Sequence, residues 1–418
     1  MFPIAVEVVP TSLARLLVAR HGGGSVAAGT AELVCGSWGE PPLSMLPVNS
    51  QLWHLEQSQR LCRKLVDRVS STWATRRFGL SPALPLWLKR AGYQGALHVA
   101  LDDGIYPDFE YSKFRWEGVD NSVIEAFSRI PLAGDTASSF LRFADRMSES
   151  MDNDQAAAIA FARWPDLRSP FLNDFRRMHA YSPVLGKFCT YAEFFERTEF
   201  PSRSGSYRPR EYLSPFFVQM VAREEPDAVS RFAGWHQRRQ QFDTARWLNL
   251  LTGAIRGQRD LPAFETGLER ELELLPEPAT SEQIQALQQK LAEQVQQEGT
   301  KLASLITGPE PRESGYVVIN PLSFARSVSI SFPEGSLKPD ESRLPKRSRA
   351  TAIYNPETGT TTVGSAASTP ALQWNDRQRV LVTEVPACGF VWVPAGSEGG
   401  TPGHPQVTGK AAGRSGRG

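Results

Sequence analysis

Residues 72–95, TWATRRFGLSPALPLWLKRAGYQG, decide the reading of this chain. They read as the end of a strand, a Phe78-Gly79 turn, a helix start at Ser81-Pro82 and a short helix closing on Gly92. The apolar run at 95–101, GALHVAL, then begins the next strand. That order is one βα unit handing over to another. The same rhythm extends outward through residues 1–200. Candidate elements lie at 124–130, 157–164 and 184–189, and a helix at 191–197 is capped by Thr190. Residues 1–20 read as a strand and a helix, because no basic segment precedes their apolar stretches.

Beyond residue 200 the texture changes twice. Residues 201–308 read as helical after a polar loop at 202–210. A helix is expected at 237–255, with Phe242, Ala245, Leu248 and Leu251 at core spacing. Another is expected at 281–306, opened by a Thr280/Gln283 capping box and closed by Gly308-Pro309. Its apolar side is Ile284, Leu287, Leu291, Val295, Leu302 and Leu305, and Gly299 weakens its middle by up to ~1 kcal/mol relative to Ala. Residues 309–395 read as β, with short runs at 316–320, 327–332, 350–354, 360–363, 378–385 and 389–393. The runs at 350–354 and 360–363 form a hairpin pattern around Asn355, Pro356 and Gly359. Residues 396–418 are rich in Gly, Pro, Lys and Arg and are expected to be a disordered tail. The expected fold is multidomain: an α/β partial barrel at 1–200, a helical segment at 201–308, and an antiparallel β-sandwich-like domain at 309–395.

Composition excludes several classes. With 418 residues, 41% hydrophobic and 22% charged, the chain is an ordinary globular one of roughly two to four domains. A formal net charge of +1 gives no reason to expect nucleic acid or an anionic membrane as partner. No run approaches the ~18 apolar residues of a membrane span. Cys35, Cys62, Cys189 and Cys388 are scattered without a C-x-x-C pair, so thiols in a reducing, cytoplasmic setting are expected.

Residues 100–127, ALDDGIYPDFEYSKFRWEGVDNSVIEAF, hold the densest mix of acids and aromatics. Asp102 and Asp103 directly follow a strand, and parallel α/β folds gather their sites at that end. Trp116, Glu117 and Asp120 follow one loop later. An indole covers the apolar face of a sugar while carboxylates accept from its hydroxyls. The alternative is that Asp102 and Asp103 cap a loop and Trp116 is core. The histidines read as structural. His98 lies inside an apolar strand, His54 and His179 lie on helices without a partner at i+4, and His404 lies in the tail. Residues 22–24 are too generic for a phosphate loop.

Phe78, Gly79, Ser81, Leu84 and Pro85, followed by Ala91-Gly92-Tyr93, resemble a turn in the catalytic domain of glycoside hydrolase family 38, the α-mannosidases. Residues 114–122, FRWEGVDNS, are similar to the family's F-x-W-x-G-x-D-G-S, with Asn121 in place of a glycine and equally able to take φ > 0. Residues 32–51, ELVCGSWGEPPLSMLPVNSQ, resemble the stretch where a strand enters a Gly-Trp turn with acidic residues, which adds Trp38 and Glu40 as sugar-binding candidates. Residues 315–333 and 385–394 are similar to strands of the family's C-terminal β domain. The resemblance covers roughly 30–395 in the family's order.

This resemblance implies retaining hydrolysis of α-mannosides. A zinc ion would hold sugar hydroxyls, one Asp would attack while also binding the zinc, and a second carboxyl would act as acid/base. The chain departs from that pattern at the chemistry. Arg76 occupies the nucleophile position, and a guanidinium neither attacks a glycoside nor binds Zn²⁺. No H-x-D precedes the turn, since His21 is followed by glycines, and His236 is followed by Gln237 and Arg238. Asp166 is the one acid near the family's acid/base loop, where it also suits a loop cap. No zinc or other cofactor is therefore expected. The catalytic candidates are Asp102, Asp103 and Asp166, and the binding candidates are Trp38, Glu40, Trp116, Glu117 and Asp120. The expected function is an α-mannosidase-like glycoside hydrolase acting on carbohydrate, mannosides among them; the alternatives are an inactive carbohydrate-binding relative or a scaffold. Fewer residues precede the Phe78-Gly79 turn than in the family, so the first barrel strand is expected to be missing. That leaves an open sheet edge for N-terminal residues or an oligomeric partner to cover, or marks the chain as part of a longer product.

Overall fold

The computed structural model describes residues 4–7, 31–34, 36–39, 41–67, 69–75, 80–100, 111, 113–150, 158–161, 169–181, 188–206, 214–258, 264, 266–275, 279–308, 314–332, 351–355, 360–364, 372–375 and 378–394. The Phe78-Gly79 turn and the tail at 396–418 lie outside them. The chain divides into two compact units, Met1–Val229 and Ser230–Gly418.

The first unit is built on a five-stranded sheet. In chain order its strands are β3 (Thr72–Thr75), β4 (Gly95–Ala100), β5 (Phe114–Glu117), β6 (Val123–Phe127) and β9 (Ser204–Ser206); in space they run β3-β4-β6-β5-β9. β3, β4 and β6 are parallel, β5 runs antiparallel to β6, and β9 is parallel to β5. The unit is thus mixed α/β with a parallel centre, and among the described residues the sheet is open rather than closed into a barrel. The polar loop expected at 202–210 contributes β9. Ser-Gly-Ser has no strand propensity of its own, and its pairing with Arg115, Trp116 and Glu117 supplies the order. A separate parallel pair, β1 (Ile4–Glu7) and β2 (Ala31–Val34), places β2 beside β3. A shorter parallel pair joins β7 (Leu132–Ala133) to β8 (Ala160–Phe161).

Strand alternation sorts the side chains onto two faces. Register aligns Trp73, Ala96, Ala126 and Phe114, and Trp116 lies two residues on from Phe114. This face is covered by α2 (Leu84–Arg90), which buries Leu84, Pro85 and Leu88. The other face carries Ala74, Leu97 and Phe127, which form one core with Val34 of β2 and Phe195 of α6 (Tyr191–Arg197). Gly95 is required there: a Cβ on it would lie 2.3 Å from the Phe195 ring. α1 (Val48–Val66) buries an unusually polar side, with Ser50, Gln51, His54, Ser58 and Gln59 all shielded from solvent. Each buried polar group of this kind needs a partner. Gln59, for instance, donates to the Ser70 carbonyl at 2.8 Å and accepts from the Ser70 amide at 3.0 Å. The helices α3 (Ala137–Leu141), α4 (Phe143–Ser150) and α5 (Leu172–Ala180) meet through aromatic contacts, among them Phe140–Phe175 and Phe143–Phe175.

α6 is held at both ends by buried charge. At its start the expected Thr190 cap forms, accepting from the Glu193 amide at 3.3 Å. Beside it Glu32 of β2 accepts from the Ala192 amide at 2.9 Å. At its end Lys113, buried just before β5, donates to the carbonyls of Phe195, Thr198 and Glu199 at 3.1–3.2 Å and to the Thr198 hydroxyl at 3.0 Å. Lys113 also pairs with Glu125 of β6 at 2.6 Å. An acid at the helix start and a base at its end both match the helix dipole. Burial pushes the Glu32 carboxyl above its usual value, against the pull of the Ala192 and Tyr191 amides and the Thr72 hydroxyl.

The second unit opens with three helices, α8 (Ala228–Ile255), α9 (Thr266–Glu273) and α10 (Ser281–Thr307). α7 (Phe216–Ala222) precedes it in the first unit. Phe242, Leu268, Leu272, Leu287 and Leu291 form the core of the helical part. The capping box at Thr280 and Gln283 forms as expected, and Gly308, at φ 82°, ends α10. α8 begins nine residues before the expected 237 and runs across Gly234, with Phe232 and Trp235 stacked on one another at 5.8 Å. Within the bundle Arg239 is fully buried. It reaches Asp243 at 2.9 Å, Glu269 at 2.9 Å and Glu273 at 2.6 Å. Burial also raises the Glu269 carboxyl pKa, with Arg239 opposing it.

The remaining strands are antiparallel, as expected. β10 (Gly315–Asn320) pairs with β16 (Gly389–Pro394), and β15 (Gln378–Val385) lies between β11 (Arg326–Phe332) and β14 (Leu372–Asn375). The expected hairpin forms from β12 (Thr351–Asn355) and β13 (Thr360–Gly364). Asn320 is buried where the strands turn. Its amide donates to the carbonyls of Phe324 at 2.7 Å, Val385 at 3.3 Å and Pro386 at 3.0 Å, and its oxygen accepts from the Leu322 amide at 3.1 Å.

The cysteines depart from expectation at one position. Cys62, buried on α1, is disulfide-bonded to a partner outside the described residues, while Cys189 and Cys388 are free and exposed. Sequence spacing carries no information about which cysteines approach in space.

Three outcomes follow from the buried charges. Lys113→Met should cost about 3–5 kcal/mol, since it strands Glu125 and the last carbonyls of α6; urea unfolding followed by tryptophan fluorescence measures it. Arg239→Ala should cost a similar ~3–5 kcal/mol, read by helical circular dichroism, with Glu273→Gln in the same chain recovering part of it. Glu32 should give the first unit a pH dependence. Its folded pKa is raised above 4.5, so its contribution is fully present below that value and is lost as pH rises through the folded pKa. Glu32→Gln keeps an acceptor for Ala192 and should flatten that decline in denaturation midpoints taken across mildly acidic pH.

Candidate functional site

The carboxyl ends of the parallel strands mark where an α/β sheet presents side chains to a ligand. β2 shares this direction. Glu32 lies by Thr72, Val34 packs on Ala74, and Gly36 lies against the Ala74 carbonyl and the Thr75 Cα. The approach is so close that a Cβ on Gly36 would sit 2.0 Å from the Ala74 oxygen. The turn that follows, residues 36–39, therefore stands at the carboxyl end, next to the exit of β3.

Trp38 sits in this turn, half-buried. Its backbone is fixed from both sides by one residue. The Trp38 amide donates to the His54 carbonyl at 3.2 Å, and the Trp38 carbonyl lies 2.8 Å from His54 Nδ1. A carbonyl oxygen only accepts, so Nδ1 carries the proton. The imidazole is itself 3% exposed and meets the Trp53 ring edge-on at 4.9 Å. Gly39, at φ 71°, turns the chain away. Beneath the turn the Tyr93 hydroxyl points at the Gly36 carbonyl at 3.5 Å, and burial raises its pKa far above the usual phenol value.

The acidic and aromatic cluster expected around residues 100–127 is divided by the sheet. Glu117 pairs with Val123, two residues before Glu125, which faces Gly95 at the start of β4. Glu117 therefore lies at the amino end of the parallel strands, roughly 20 Å from Ala100 at the other end of β4. The chain towards Asp102 and Asp103 leaves from Ala100, and both aspartates lie outside the described residues. Paired carboxylates for glycoside chemistry stand about 5–9.5 Å apart. One strand length is too far for Glu117 to pair in this way with an acid at the carboxyl end.

Trp116 is 1% exposed, with its ring 6.5 Å from that of Trp73 in the core, so it presents no face to a sugar. Asp120 is exposed in the β5–β6 turn, where its carboxylate accepts from the Ser122 hydroxyl at 2.6 Å and amide at 3.1 Å. The Ser122 hydroxyl is the chief cause of an Asp120 pKa held below its usual value. Asn121 in this turn takes φ 63°, the conformation expected of it. The F-x-W-x-G-x-D-N-S motif is thus a hairpin with its tryptophan inward. Glu40, Arg76 and Asp166 lie outside the described residues, as does the side chain of His98. His179 meets Phe188, and His236 meets Phe232 and Trp235. Sequence reading missed His54 as a partner of Trp38, because the contact spans 16 residues and follows no helical or strand period.

Among the described residues no three of His, Cys, Asp and Glu come together as a metal site. His54 spends its Nδ1 on a carbonyl. Among the described residues the donor set does not fit the zinc that the family resemblance implies. No helix among the described residues is long and apolar enough to cross a membrane.

No family model and no curated protein matches this chain. Solved structures do match its fold. A protein in glycosyl hydrolase family 38 from Enterococcus faecalis aligns over 96% of this chain and 55% of its own, with a TM-score of 0.51 at 10% identity. An α-mannosidase from Enterococcus faecalis V583 aligns over 93% of this chain and 48% of its own, with a TM-score of 0.47 at 11% identity. The α-amylase AmyC from Thermotoga maritima aligns over 70% of this chain and 71% of its own, with a TM-score of 0.43 at 12% identity. This chain spans about half the length of the first two. Identities this low speak for the fold alone, and the first match carries that likeness: the chain has a mixed α/β fold similar to a glycosyl hydrolase family 38 structure.

Proposed function

We propose that this chain is a carbohydrate-binding relative of the family 38 α-mannosidases, taking α-mannosides at the carboxyl end of its parallel strands. The observation that carries the reading is Trp38, half-buried in a rigid turn at that end of a fold aligned with a glycosyl hydrolase over 96% of the chain. An indole held this way suits the apolar C–H face of a pyranose. Glu40 stands two residues after Trp38 in the sequence, and its carboxylate suits a sugar hydroxyl. Binding is favoured over turnover by Arg76, which by resemblance takes the position of the nucleophile.

A second reading, metal-free hydrolysis, is favoured by one feature. β4 leads the chain towards Asp102 and Asp103 from the same end as Trp38. Those two, with Asp166, would then be the acid and base of a shifted site.

Calorimetry with methyl α-mannoside separates the readings. Saturable heat, weakened roughly tenfold or more by Trp38→Ala, is expected, with no release of nitrophenol from an aryl α-mannoside. Turnover that survives a chelator and disappears in Asp102→Asn or Asp166→Asn replaces binding by hydrolysis. Neither heat nor turnover leaves a scaffold.

A further inference from the structure

We infer that His54 is a positioning residue that pins the backbone of Trp38 and so narrows where its indole can stand for ligand recognition. The inference rests on the reading of Trp38 as the sugar-facing ring. Both polar groups of the Trp38 backbone are taken by His54, one through its side chain and one through its carbonyl. With the backbone pinned, the indole keeps only its own two side-chain torsions. A ring ordered before binding loses less freedom when a ligand arrives, and the gain appears as affinity.

His54 is well built for the task. It lies on the 19-residue α1, and Trp53 holds its ring edge-on. A buried imidazole is costly to desolvate, and an apolar side chain would fill the same space without that cost. The proton on Nδ1 aimed at the Trp38 carbonyl is what an apolar residue cannot supply. The geometry also specifies which substitute works. The amide nitrogen of Asn falls near the position of Nδ1, whereas that of Gln falls near Nε2.

The experiment uses the full chain with His54 changed to Ala, Asn or Gln, and Trp38 changed to Ala or Phe. The first readout is the indole N–H resonance of Trp38, identified by its loss in Trp38→Phe. The second is affinity for methyl α-mannoside. His54→Ala and His54→Gln should shift or broaden that resonance and weaken affinity by about tenfold, a single hydrogen bond's effect. His54→Asn should restore the resonance and return affinity to within about threefold of the parent. An unchanged resonance in His54→Ala overturns the inference, as does an Asn variant no better than Gln. If His54→Ala fails to fold, the contrast between Asn and Gln decides. If Trp38→Ala binds as tightly as the parent, the sugar reading of Trp38 fails, while the resonance still decides whether His54 orders the ring.

Discussion

A seven-residue helix strapped across one face of the sheet is the constraint on which the first unit depends. α6 is too short to be stable by itself, because helix nucleation is unfavourable and so few residues cannot repay it. Its order comes from its ends and from Phe195. Glu32 on β2 answers the amino end, Lys113 before β5 answers the carboxyl end, and the Phe195 ring fills the space left open by Gly95. β2 pairs by hydrogen bonds with β1, not with β3. Among the described contacts, the Glu32 bond to α6 and the core shared by Val34, Ala74 and Phe195 fix β2 alongside β3. The turn carrying Trp38 inherits its position from that arrangement.

The two units treat buried charge alike. Lys113 shares its ammonium protons among carbonyls, a hydroxyl and a carboxylate, and Arg239 spreads its guanidinium over three acids. Desolvation of such groups is expensive, and the attraction repays it only when every partner is in place. These networks specify one arrangement of the elements more than they add to net stability. At the carboxyl end of the sheet the same economy appears in neutral form, where one histidine satisfies both backbone groups of one tryptophan.

Sequence reading recovered what local physics dictates. The unit β3–α2–β4, the caps of α6 and α10, the hairpin β12–β13 and the positive φ of Asn121 are all set by residues within a few positions of one another. What it missed is non-local. β9 exists only because β5 offers it hydrogen bonds, and Cys62 finds a partner that no spacing announces. Trp116 looked functional because it adjoins acids in sequence. The period of two in β5, with Phe114 and Trp116 inward and Arg115 and Glu117 outward of them, was the available signal that it is core. Asp120, in the β5–β6 turn, shows that adjacency along the chain does not say which end of a sheet a residue occupies. Of the candidate site, Trp38 was legible from its glycine-flanked turn after a strand, and His54 was not.

Asn320 ties together two parts of the chain that lie far apart in sequence. Residues 320–323, Asn-Pro-Leu-Ser, lie within the stretch similar to the family's β domain, and the side chain of their asparagine joins two bends of the backbone. The work of such a tetrapeptide is architectural, and it places no demand on the chemistry of a site. A likeness carried by that stretch is a likeness in how a chain turns a corner; what the protein binds is settled elsewhere, at the mouth of the α/β sheet.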